Sequence, residues 1–80
     1  MDLKSMIQVA VKLFNTYEKK DVNMLVMLVQ QKCHALLEFL PNISNEMIEP
    51  YLKKAGIKDI SKALIVLDIL RLIYKQKNKD

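Results

Sequence analysis

The stretch from Ala63 to Tyr74, ALIVLDILRLIY, constrains the fold more than any other part of the chain. Only Asp68 and Arg71 interrupt its apolar residues. Read as a helix, it carries two apolar stripes. Ile60, Ala63, Leu67, Leu70 and Tyr74 recur at the three-four spacing of a helix–helix seam. Ile65, Val66, Ile69, Leu72 and Ile73 form a second stripe beside the first. A surface helix buries one stripe and turns the rest to water. This one needs cover on two sides, so it is expected either to be the central strut of its domain or to meet a second molecule. Spanning a bilayer takes about 20 apolar residues. The longest uninterrupted apolar run, Met24 to Val29, falls far short, so no transmembrane segment is expected.

The remainder of the chain also reads as helix. One glycine and two prolines leave few turn formers, whereas an all-β sandwich needs many. Leu3, Met6, Ile7, Ala10, Leu13, Phe14 and Tyr17 share one face of a first helix over about 3–18, with Lys4, Gln8, Lys12 and Asn15 opposite. Asp21 is placed to cap a second helix over about 22–40. Its main stripe is Val22, Leu25, Val26, Val29, Cys33, Leu36 and Leu40. Met24, Leu28, Ala35 and Phe39 make a second stripe, and Pro41 stops the helix.

Ser44 caps a short third helix over about 45–55, and Glu46 suits its first turn. The NIS triplet at Asn42 is expected to serve as turn and cap. A proline in a helix interior removes a hydrogen bond, so the third helix is expected to be interrupted at Pro50 by a kink or a fresh start. Gly56 ends it in the left-handed conformation, with Ile57 as the apolar contact that follows. Asp59 or Ser61 caps a fourth helix over about 60–76, and 77–80 is expected to be a frayed basic tail. The expected fold is therefore all-α, a compact bundle of four helices forming a single domain over 1–80.

An 80-residue chain buries a limited core and usually leans on disulfides, metals or association. The single cysteine, Cys33, rules out an internal disulfide, which suits a reducing compartment. No cluster of Cys and His is available for structural zinc. No secretory leader pattern opens the chain, and the expected location is cytoplasmic. The formal net charge is +4, concentrated in residues 41–80, where eight basic side chains meet five acidic ones. That excess permits an anionic partner without requiring one.

Catalytic chemistry is not expected. Cys33 and His34 are helical neighbours that point about 100° apart and cannot form a nucleophile pair. Cys33 falls on the apolar stripe. His34 and Glu38, four residues apart, fit a surface pair. No cofactor, metal or small-molecule substrate is called for. Asp68 and Arg71 are read as a solvated edge pair of helix 4.

The leading expectation is a small non-enzymatic interaction module: an adaptor, inhibitor or regulatory subunit acting as a homodimer. Ile65, Val66, Ile69, Leu72 and Ile73 would form the self-association face. Another protein would dock near Met27, Gln30, Gln31 and His34, where an exposed methionine offers an adaptable contact. The alternative is a dimeric DNA-binding regulator. In it, two short helices around a glycine resemble a helix-turn-helix, and Lys53, Lys54, Lys58 and Lys62 contact phosphates. A third reading is a membrane-surface-associated or immunity-type bundle, using helix 4 with Lys75, Lys77 and Lys79. The immunity comparison is one of architecture alone.

Overall fold

Each α-helix opens on a side chain that accepts from a free backbone N–H group. In the computed structural model, which describes residues 2–77 and the side chains of 2–75, these caps set the four starts. Asp2 accepts from Ser5 at 2.8 Å and begins α1, Leu3–Thr16. Asp21 accepts from Met24 at 2.8 Å and begins α2, Val22–Lys32. Ser44 accepts from Met47 at 3.3 Å and begins α3, Asn45–Lys54. Asp59, not Ser61, accepts from Lys62 at 3.1 Å and begins α4, Ile60–Lys77.

The Ser5 amide bond holds the Asp2 carboxyl below its ordinary pKa. An acid lowered in the folded state stabilises it above the unfolded pKa. That contribution fades as pH falls through the folded value.

α2 does not run to Leu40. It ends at Lys32, where Cys33 leaves the helical region at φ −125° and ψ 41°. Two short 3-10 segments follow, His34–Glu38 and Leu40–Asn42. Their bonds step three residues at a time, Leu36 N–H to the Cys33 carbonyl and Phe39 N–H to the Leu36 carbonyl. Turning at Cys33 lays Leu36, Leu37 and Leu40 into the core, where all three are buried. The second stripe expected on this helix is not buried with them, because Met24, Ala35 and Phe39 are exposed.

α3 is not split at Pro50; it is continuous across it. The ring sits on the exposed side, and the Glu46 carbonyl that loses its donor belongs to an exposed residue. Ile48 and Leu52, each 1% exposed, anchor the turns on either side.

Gly56 follows at φ +87°, with its N–H on the Lys53 carbonyl and the Ile57 N–H on the Leu52 carbonyl. That pair of bonds is the Schellman ending. A Cβ on Gly56 would touch nothing within 4 Å. Gly56→Ala therefore meets only backbone strain and is expected to cost about 1–2 kcal/mol. Urea unfolding reads this directly, and an unchanged midpoint would show that the turn relaxes freely.

The core is one cluster fed by every element. α1 contributes Met6, Ile7, Ala10, Val11, Leu13 and Phe14. α4 contributes Ala63, Val66, Leu67 and Leu70, and packs against α2, α3 and both 3-10 segments. Among the described residues no polar side chain is buried. The overall extents are 37 × 25 × 22 Å. Of the expected tail over 77–80, Lys77 closes α4 and residues 78–80 lie outside the described residues.

Candidate interaction surfaces

On α4 the core takes the stripe at 63, 67 and 70, with Ile60 and Tyr74 partly buried at its ends. The second stripe divides. Val66 is 0% exposed and belongs to the subunit's own core, so it cannot serve a self-association face. It lies about 100° from Ile65 on the helix, on the side turned toward the core. Ile69 and Ile73 are partly buried against the cluster. Ile65 and Leu72 stand out at 50% and 61% exposed. With Ile69 they form an i, i+4, i+7 set along the outer face, flanked by the exposed Asp68 and Lys75. A recess of about 450 Å³ adjoins this face, lined by Pro41, Asp68, Arg71, Leu72 and Lys75.

Arg71 is not a solvated edge residue. Its Nε donates to the Leu40 and Ile43 carbonyls at 3.0 and 3.1 Å, and its Nη2 to Ile43 at 2.7 Å. Its Nη1 donates to the side chains of Asn45 and Asp68. Asn45 in turn donates to Asp68 at 3.0 Å. One planar guanidinium thus ties α4 to both ends of the second 3-10 segment, at Leu40 and at Ile43 just past it, and to the start of α3. A second tie joins α1 to the loop before α4. Asn15 donates to the Gly56 carbonyl at 3.0 Å and accepts from Lys58 N–H at 2.9 Å.

The four lysines proposed for phosphate contact are mostly engaged within the chain. Lys53 pairs with Glu49 at 3.0 Å and Lys58 with Glu18 at 3.8 Å. Lys62 is half-buried and donates to the Glu18 carbonyl at 2.8 Å, beyond the end of α1. Lys54 is exposed beside α1, in a recess it shares with Lys4 and Tyr51.

Met27 and Gln31 lie exposed on the outer side of α2, with Gln30 half-buried beside them. His34 does not continue this face. The break at Cys33 carries it into a groove against α1 that also includes Met6, Val9 and Lys32. Cys33 is buried, and that burial pushes its thiol pKa up, so the thiol form is favoured.

The groove itself went unnoticed in sequence. Val9 falls outside the apolar stripe of α1, next to Lys12 on the helical wheel. That off-stripe valine was the available signal.

The fold and these surfaces define an all-α bundle whose exposed large apolar residues lie on α2 (Met24, Met27), α3 (Met47, Tyr51) and α4 (Ile65, Leu72), with Val9 over the α1 groove and Phe39 between the two 3-10 segments. Among the described residues no group of three or more His, Cys, Asp or Glu could hold a metal, and no helix is long and apolar enough to cross a membrane. Comparison with protein families, with curated proteins and with solved structures returned no match.

Proposed function

We propose that this protein is a small non-enzymatic interaction module of the cytoplasm, an adaptor, inhibitor or regulatory subunit, and that it works as a homodimer joined through the outer face of α4. The observation that carries the reading is the pair Ile65 and Leu72, each at least half exposed on one side of one helix. Burying a large aliphatic side chain fully is worth about 1.5–3 kcal/mol, so two half-exposed ones favour a partner. The face is also self-complementary. It carries one acid and one base, Asp68 and Lys75. Two copies related by a two-fold axis bring opposite charges into reach of one another. With Val66 withdrawn into the core, the contact reduces to Ile65, Ile69 and Leu72, with Ile73 at its margin.

Sedimentation velocity across a concentration series tests this. The wild type is expected to shift from monomer to dimer, with a melting temperature that rises with concentration. Leu72→Glu is expected to remain monomeric while keeping its helical content. A wild type that stays monomeric at millimolar concentration would remove the homodimer from the proposal.

A further inference from the structure

A separate recess lies between α1 and the end of α2. It consists of two adjoining hollows of about 150 and 240 Å³ that share Val9, Lys32 and Cys33. Together they follow α1 from Met6 to Tyr17, a run of roughly 17 Å at the helical rise. That length matches about three turns of a helix.

The floor is apolar. Met6, Leu13 and Leu36 are core residues that border it, and Val9, 43% exposed, stands at its centre. The rims are basic. Lys12 rises from α1 and Lys32 from the last turn of α2, both exposed. Neither forms an ion pair among the described residues, and no acidic residue lines either hollow. The recess beside α4 is mixed in charge, since Asp68 there sits with Arg71 and Lys75.

We propose that the α1–α2 groove binds an acidic amphipathic helix of another protein. Apolar side chains at i, i+4 and i+7 of that helix would lie along the floor over Val9, as in helix-in-groove recognition generally. Carboxylates on its two edges would meet Lys12 and Lys32. The wet rim gives such pairs modest strength, so they select sign and register while the floor supplies most of the affinity. This surface lies on elements other than α4, so it does not depend on the homodimer.

The probe is a synthetic helical peptide of about 14 residues with Leu at i, i+4 and i+7 and Glu at the flanking positions. A second peptide carries Lys at each Glu position. Fluorescence anisotropy gives affinities, and amide shift mapping on labelled full-length protein locates the contact. The acidic peptide is expected to bind about tenfold or more tightly than the basic one, to weaken with added salt, and to shift Val9, Lys12, Lys32 and Cys33. The double variant Lys12→Glu, Lys32→Glu changes only exposed positions, so its melting curve should stay near that of the wild type. It should invert the preference between the peptides. Equal binding of both peptides, binding of neither at millimolar concentration, or shifts confined to α4 would each overturn the proposal. Leu72→Glu should leave peptide binding unchanged, so loss of the dimer and loss of groove binding are read separately.

Discussion

Arg71→Ala is expected to lower the unfolding free energy by about 2–4 kcal/mol, as expected when a charged donor is removed from acceptors that stay partly buried. The guanidinium is only 20% exposed at its side chain and serves the Leu40 and Ile43 carbonyls together with Asn45. Without it, the Leu40 and Ile43 carbonyls at the two ends of the second 3-10 segment lose their only side-chain donors among the described residues. Water can replace part of each bond but cannot join three segments at once.

Arg71→Lys keeps the charge and loses the planar fork, so it should recover only part of the difference. Asp68→Asn should cost little, about 0–1 kcal/mol, because that carboxylate is 59% exposed. Urea denaturation with a common slope for all three variants measures the order. An Arg71→Ala variant within about 0.5 kcal/mol of wild type would show that the clamp is dispensable.

Two leucines on α4, five residues apart, should respond to truncation by very different amounts. Leu67 is 1% exposed, and Leu67→Ala is expected to cost about 2–5 kcal/mol through lost burial and the cavity left behind. Leu72→Ala should cost less than about 1 kcal/mol in the isolated subunit, because most of that side chain already faces outward. Its larger effect should emerge with concentration. If α4 joins two copies, the deficit of Leu72→Ala grows as the wild type dimerises. Thermal melts at two well-separated concentrations distinguish these contributions. Equal losses for the two variants at low concentration would mean that Leu72 is buried within the subunit.

The residues that sequence reading placed well are those governed by near neighbours. Asp21 and Ser44 cap helices because an oxygen two or three residues before a free N–H can reach it in any tertiary setting. Gly56 turns the chain because a left-handed backbone disfavours a Cβ wherever it occurs. Arg71 illustrates the other case. Its i, i+3 partner Asp68 is visible in sequence and does bind it, at 3.0 Å. Its more consequential partners lie 26 to 31 residues away. Nothing in the local pattern separates an arginine that pairs along its own helix from one that also fastens two other segments. Asn15, read as part of a solvated face, is misjudged for the same reason, since Gly56 and Lys58 lie more than 40 residues along the chain.

ALIVLDILRLIY thus has a more definite meaning than periodicity alone allows. By itself the sequence determined the helical class, the starts of its helices and the inward stripe of the fourth, because these follow from apolar spacing and from caps within one turn. The tertiary structure alone decided where the second helix stops, that Pro50 is carried through, and how the outer stripe of α4 divides. Those outcomes depend on which element lies opposite. Val66 is buried in the core while Ile65 and Leu72, on the same helix, stay at least half exposed. A residue's neighbours along the chain set its conformation; its neighbours across the bundle set its burial.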